Sequence, residues 1–342
     1  MKKVSVLGAG GWGTAIAISL AKDGQQVKLW TRTDKSAQNL NKTRENIKYL
    51  PGAVIPANVT ISSSIEKSVL NSDIIVIVTP SSAVRRVCEK IKPVISKDTI
   101  IVTASKGFEQ NTLLRMSEVI QDVLGKQQPV AVLSGPNHAE EVGREIPTAT
   151  VVASSKRKTA EIVQDAFMGP KLRVYTNPDI VGVETGGALK NIIALGAGIS
   201  DGLGFGDNTK SALLTRGLTE IARLGVAMGG ETVTFAGLSG IGDLVATCTS
   251  THSRNWRAGN LLGQGKTLDE ILADTNMVVE GVKTARSVNH LAEKYNVEMP
   301  ISKQIYKVLF EDKDPKEAVT DLMLRGKTNE MEEVVITQNA KW

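Results

Sequence analysis

Along the first half of the chain, short apolar runs alternate with stretches whose apolar residues recur every three or four positions. Val4, Val6 and Leu7 predict a strand, Ala15, Ile16, Ile18 and Leu20 give residues 14–22 helical spacing, and "VKLW" (27–30) predicts the next strand. Further strands are predicted at "DIIVIVTP" (73–80), "TIIVTASKG" (99–107), "VAVLSGP" (130–136) and "TATVVAS" (148–154), most with helical or loop segments between them. Near-continuous β-branched runs such as "IIVIV" suit strands buried on both faces, as in a parallel sheet. "YLPGAVIPANV" (49–59) holds two prolines and predicts a loop. From about residue 179 the pattern changes. "DIVGVETGGALKNIIALGAGISDGL" (179–203) and "TKSALLTRGLTEIARLGVAMG" (209–229) lack strand punctuation and predict helices. Thr267 with Glu270 fits a capping box, Val282, Ala285, Val288, Leu291 and Ala292 trace one apolar face, and Ile301, Ile305, Val308 and Leu309 trace another. The expected class is therefore α/β: a doubly wound sheet domain over 1–180, followed by an all-helical domain over 181–342.

The first strand runs into "GAGGWGTA", and two readings compete for it. Lys2 and Lys3 before an apolar run resemble a secretory signal peptide, but Gly8, Gly10, Gly11 and Gly13 break the helix such a peptide needs. Read as a strand-to-helix turn, Gly8, Gly10 and Gly13 fit G-x-G-x-x-G inside one βαβ unit of about thirty residues. That context makes the domain Rossmann-type. Glycines there let the backbone turn tightly and approach a pyrophosphate at the helix N-terminus, where free N–H groups and the dipole favour negative charge. A methyl-donor cofactor, or a glycine-rich turn with no ligand, stays open on this motif alone. The end of the second strand bears on which dinucleotide is held. An NAD-type site has an acidic residue about twenty residues past the motif, for the ribose hydroxyls. Here the positions are Trp30, Thr31 and Arg32. Either Arg32 binds a 2′-phosphate, favouring NADP over NAD, or it is a solvated surface arginine.

Composition narrows the class further. Cys88 and Cys248 are the only cysteines in 342 residues, which excludes a disulfide framework and suits reduced thiols in the cytoplasm. No apolar stretch is read as long enough for a membrane span. A net charge of +5, scattered along the chain, suits a small anionic substrate and gives no case for nucleic acid. His138, His252 and His290 are the only histidines and have no ligand spacing, so no metal site is expected.

Candidate chemistry lies where polar residues interrupt apolar, glycine-rich stretches. Lys106 follows "TIIVTAS" at the carboxyl edge, where open α/β sheets place ligands. Lys190 and Asn191 sit in "GGALKNIIALG"; the lysine either lines a closed site as proton donor or acceptor, or snorkels to solvent. Asp243 in "GLSGIGDLVATC" and the trio Ser253, Arg254 and Asn255 in "THSRNW" supply a carboxylate and an anion fork, or else a helix cap and a surface ion pair.

Taken in order, "GAGGWGTA", "YLPG", "SKG", "SGPNHAEEV", the stretch around Lys190, "GLSGIGDLVATCTSTHSRNWRAG" and "VVEG" closely resemble the bacterial NAD(P)-dependent glycerol-3-phosphate dehydrogenases, from about residue 4 to about 325. The resemblance implies reduction of dihydroxyacetone phosphate to sn-glycerol 3-phosphate with NADP or NAD as cofactor, in a homodimer. It implies that Lys190 is the proton acceptor in alcohol oxidation, and so the donor in ketone reduction. It implies that Lys106 touches cofactor and substrate, and that Gly135, Asn137, Asn191, Asp243, Ser253, Arg254 and Asn255 line the substrate site. Cofactor contacts are implied at Gly8, Gly10, Gly11, Trp12, Gly13, Arg32, Ala139, Arg254, Val278 and Glu280. The chain departs from the family's pattern at Gly11 and Asn137, where serine is usual. β-Hydroxyacid or 6-phosphogluconate-type dehydrogenases, which share the architecture and a helix lysine, are the enzymatic alternative. A module that senses NAD(P)H without turnover would have no reason to retain Lys106, Lys190, Asp243 and Arg254 together.

Overall fold

The computed structural model describes residues 1–274, 278–327 and 330. The chain divides into two units, the first comprising Met1–Glu109 with Leu114–Ile180 and the second Gln110–Leu113 with the chain from Val181 onward. The first unit runs β1 (Lys3–Leu7), α1 (Gly11–Lys22), β2 (Gln26–Trp30), α2 (Asp34–Thr43), β3 (Glu45–Asn46), β4 (Leu50–Val54), β5 (Val59–Ser62), α3 (Ile65–Val69), β6 (Ile74–Ile77), α4 (Val84–Ile91), β7 (Ile100–Thr103), α5 (Met116–Leu124), β8 (Val130–Ser134), α6 (Ala139–Gly143), β9 (Thr148–Ala153), α7 (Arg157–Phe167) and β10 (Leu172–Asn177).

Eight strands form one sheet in the order β10-β9-β8-β7-β6-β1-β2-β5. Every residue of β6, β7 and β8 is buried, as their β-branched runs predict. Ile74 and Val76 join the core that covers one face, with Ile16 and Leu20 of α1; Ile75 and Ile77 join the other, with Val87 of α4 and Ile120 of α5. The sheet is not wholly parallel, since β9 runs antiparallel to β8, with Leu133 opposite Val152. The expected loop at 49–59 is also corrected: Leu50–Val54 is β4, paired antiparallel with β3, and Val59 opens β5. Pro51 is exposed on this two-stranded ribbon, a position that tolerates a residue with no N–H.

The second unit is helical: α8 (Ile180–Gly202), α9 (Asp207–Ala227), α10 (Thr232–Phe235), α11 (Asp243–Thr249), α12 (Arg254–Gly263), α13 (Leu268–Asp274), α14 (Glu280–Tyr295), α15 (Pro300–Phe310) and α16 (Pro315–Met323). Every residue of α8 from Gly182 to Ser200 is buried, so this helix is the core of its unit. By length and hydropathy it would also pass for a membrane span, which corrects the expectation that no stretch is long enough; 83% of its apolar window is buried inside the protein. Small residues explain how it packs. A Cβ on Gly198 would overlap the Trp256 carbonyl, and one on Gly259 would overlap the Leu195 carbonyl, so α8 and α12 meet backbone to backbone. The predicted stripe on α14 is buried at Val282, Ala285, Val288 and Leu291, and that on α15 at Ile301, Ile305 and Leu309.

Candidate active site

In the first unit, Gly8 follows the end of β1 at the place where the strand order reverses, with β2 on one side of that strand and β6 on the other. Open α/β sheets bind ligands at that switch point. Gly8 has φ +126°, and its Cβ would lie 2.7 Å from the Val78 carbonyl oxygen; a Cβ on Gly13 would overlap the carbonyl of Gly8. Both positions therefore require glycine, and the reason is the sharp turn of the chain from β1 into α1. The N-cap of α1 is Gly10, with no side-chain cap and no acidic residue in the first turn, so an anion meets no competing carboxylate there. Beside it, Trp12 Nε1 and Thr79 Oγ1 are buried without a hydrogen-bond partner. A turn without Cβ atoms, an uncapped helix start and two orphaned polar atoms fit a dinucleotide. At the end of β2, Thr31 is buried with its hydroxyl 2.9 Å from Ser36 Oγ, and Arg32 is exposed. Gly11 has its own constraint: a Cβ there would lie 2.7 Å from the Tyr49 carbonyl oxygen.

Lys106, three residues beyond β7, donates from Nζ to the Gly135 carbonyl at 3.2 Å and to Asn137 Oδ1 at 3.4 Å. Asn137 in turn donates to Thr150 Oγ1 at 3.1 Å, and Thr150 donates to the Ser134 carbonyl at 2.7 Å. The side chain at 137 thus ties Lys106 to β9. Ala139 opens α6, with its Cβ 3.5 Å from where a Cβ on Gly11 would stand.

In the second unit Lys190 is 6% exposed, at the middle of α8. It does not snorkel. Its Nζ pairs with Asp243 Oδ1 and donates to Thr247 Oγ1, both on α11, and Asp243 is 2% exposed. Thr247 also donates to the Asp243 carbonyl at 2.6 Å, so one helical turn presents both oxygens to the ammonium. Burying a charge of either sign alone is costly, and each partner here supplies the other's counter-charge. Cys248, next to Thr247, is buried and free, and desolvation pushes its thiol up to about 12. One residue on from Lys190, Asn191 Oδ1 accepts from Asn255 Nδ2 at 2.9 Å, and Asn255 Oδ1 accepts from Gly281 N–H at 2.9 Å. These bonds join α8, α12 and the first turn of α14. Ser253 caps α12 by accepting from Trp256 N–H at 3.2 Å, Arg254 is exposed at the same terminus, and Glu280 opens α14 after the exposed Val278.

The structure thus brings Lys190, Asn191, Asp243 and Asn255 together in one unit, and the glycine turn with Trp12 and Ala139 in the other. Sequence reasoning missed Thr247, although a hydroxyl four residues after Asp243 shares its helix face. It also missed Tyr49, Asn46 and Thr79, which act on the turn through contacts no spacing reveals.

The family model described as the NAD-dependent glycerol-3-phosphate dehydrogenase N-terminus matches residues 3–160, and that for the C-terminus matches 179–320. Glycerol-3-phosphate dehydrogenase [NAD(P)+] from Pelotomaculum thermopropionicum is 55% identical over 336 residues, covering 98% of this chain and 96% of that protein. The protein of the same name from Thermoanaerobacter sp. is 56% identical over 329 residues, covering 96% and 99%. Among solved structures, glycerol-3-phosphate dehydrogenase from Coxiella burnetii matches with TM-score 0.91 at 40% identity, over 95% of this chain and 99% of that one. The Plasmodium falciparum enzyme matches with TM-score 0.86 at 26% identity, over 96% of each chain.

Proposed function

The chain belongs to the NAD-dependent glycerol-3-phosphate dehydrogenase family, and from that premise we propose that it reduces dihydroxyacetone phosphate to sn-glycerol 3-phosphate, reversibly, with NADPH or NADH. One observation carries the reading: an ammonium buried at the centre of an apolar, glycine-rich helix and held on two oxygens of a neighbouring one. Such a group is fixed in direction, and the surrounding apolar helix leaves its charge little screened.

A dinucleotide held at the glycine turn would supply the hydride. Lys190 meets the negative charge that develops on the ketone oxygen and delivers its proton there; in the oxidation of the alcohol it takes that proton back. Asp243 and Thr247 hold the ammonium in place, and Asn191, oriented by Asn255, offers a neutral polar group beside it. Arg254, with Ser253 and Asn255, is the candidate fork for the substrate phosphate. In the first unit, Gly8, Gly10, Gly11, Trp12, Gly13, Arg32 and Ala139 are the candidate cofactor residues, and Lys106 the candidate contact for cofactor and substrate. The family reading also carries a homodimer in the cytoplasm whose product feeds glycerophospholipid synthesis. A β-hydroxyacid or 6-phosphogluconate-type activity is not favoured, given relatives above 50% identity that are named for glycerol 3-phosphate.

The test is loss of absorbance by NADPH, then NADH, with dihydroxyacetone phosphate as acceptor. Turnover with it is expected. Turnover only when an oxidised sugar acid replaces it would refute the proposal.

A further inference from the structure

We propose that Asn46, on the β3–β4 hairpin, is a positioning residue for the glycine turn, holding it in the form that receives the dinucleotide pyrophosphate. The proposal rests on the reading of that turn as a cofactor site and deepens it. Asn46 is 5% exposed, and its Nδ2 donates to the Ala9 carbonyl at 3.0 Å and to Thr14 Oγ1 at 2.8 Å. One amide group thus ties the middle of the turn to the first turns of α1.

The consequence follows from peptide geometry. The chain has no cis peptide bond among the described residues, and across a trans peptide the C=O and the following N–H point in opposite directions. With the Ala9 oxygen held by a buried amide, the Gly10 N–H is aimed away from the hairpin. On Gly10 a Cβ would meet nothing within 4 Å, so the space beside this residue is open. A carbonyl left free to rotate would present its negative end to a phosphate instead. The amide of Asn46 prevents that rotation.

The hairpin's own fold is held by bonds that do not involve the Asn46 side chain. Arg44, in a left-handed conformation with φ 51°, donates to the Ile55 carbonyl at 3.3 Å and the Val59 carbonyl at 3.0 Å. Glu45 Oε1 accepts from Gly52 N–H at 2.7 Å. The hairpin also lies close to the turn at Gly11, where a Cβ would stand 2.7 Å from the Tyr49 carbonyl oxygen.

The experiment compares the unaltered protein with Asn46→Ala and with the isosteric Thr14→Val, by fluorescence titration with NADPH and NADH and by initial rates. Loss of an amide hydrogen bond predicts that Asn46→Ala raises the Kd and KM of both nucleotides by the same factor, roughly three- to tenfold. At saturating nucleotide, kcat and the KM for the ketone stay unchanged. A merely structural role would lower kcat through loss of folded enzyme and leave the Kd of the folded fraction alone. Unchanged Kd values in Asn46→Ala, or weakening of only one nucleotide, overturn the proposal. If Asn46→Ala does not fold, Thr14→Val decides it: a rise of about twofold or more in both Kd values supports the clamp, and no rise overturns it. An unaltered protein that binds neither nucleotide overturns the cofactor reading together with the clamp, whereas one that binds both while the variants bind equally well overturns the clamp alone.

Discussion

Replacing Lys190 by methionine keeps the length of the side chain and removes its charge, and the structure gives that change two separable costs. The lysine side chain is 8% exposed and its partner Asp243 2%, so removing one takes away the counter-charge that sits against a desolvated group. Breaking a buried pair in this way costs about 3–5 kcal/mol of stability. Loss of the proton donor costs on the order of 100- to 10,000-fold in rate. The double variant Lys190→Met with Asp243→Leu separates the two. It removes both charges, and Thr247 keeps its bond to the backbone carbonyl of residue 243, 2.6 Å in the parent. Most of the lost stability should therefore return, and none of the lost turnover. The assays are a urea unfolding midpoint and the initial rate of NADPH oxidation at saturating dihydroxyacetone phosphate, with nucleotide binding expected to stay near normal throughout. A single variant as stable as the parent would refute the argument that the pair is desolvated. A double variant that regains turnover would refute Lys190 as the donor and pass that task to Lys106 or water.

Arg32→Ala should raise the Kd for NADPH more than that for NADH, because Thr31 stands where a ribose-binding acid would be and only the 2′-phosphate needs the guanidinium; equal rises in a titration would place its contact on a shared part of the nucleotide. Arg254→Lys keeps the charge and loses the fork, so kcat/KM for the phosphorylated ketone should fall roughly 10- to 150-fold and that for unphosphorylated dihydroxyacetone hardly at all; equal falls would move the phosphate pocket elsewhere. Glu220 is buried under the start of α15, where its carboxylate accepts from Ile301 N–H at 2.5 Å and Ser302 N–H at 3.1 Å. Desolvation outweighs those bonds and pushes it from 4.5 to about 7. Between these values the folded state holds a proton that the unfolded chain has lost, so the contribution to stability is full below pH 4.5 and is lost as pH rises through 7, by on the order of 3 kcal/mol. Glu220→Gln should flatten that slope in unfolding midpoints measured across the window, and an unaltered slope would assign it to another group.

The features legible in the sequence are those set by local geometry. The glycine spacing located the turn because Gly8 and Gly13 face backbone atoms that no Cβ can approach. Thr267 and Glu270 form the predicted box, with bonds of 2.8 Å and 3.3 Å between them. What escaped depends on direction or on distant partners. "TATVVAS" has the composition of a strand buried among others, and that composition is the same whichever way the strand runs; only its connection to β8 makes β9 antiparallel. Leu172–Asn177 alternates buried and exposed residues only as far as Tyr175, and the charge and hydroxyl on its outer face gave no continuous run to detect. Proline argued against a strand at 49–59, and the hairpin used it at an exposed position.

The same division explains the site. Lys190 stood out as a cation in an apolar helix and Asp243 as a candidate carboxylate, but that the two meet across 53 residues, with Thr247 joining them, is set by the packing of α11 on α8. The glycines of α8 make a related point. By composition they look like a weakness in a helix, since each costs about 1 kcal/mol relative to alanine. Gly198 and Gly259 instead allow α8 and α12 to touch along their backbones, and that approach lets Asn255 reach Asn191 at 2.9 Å. A larger residue at either position would force α8 and α12 apart, and the asparagine link spans those two helices whereas Lys190 pairs with α11. Helix propensity is therefore given up where the position of the polar residues depends on it, and the glycine content of this unit reflects the precision of its site.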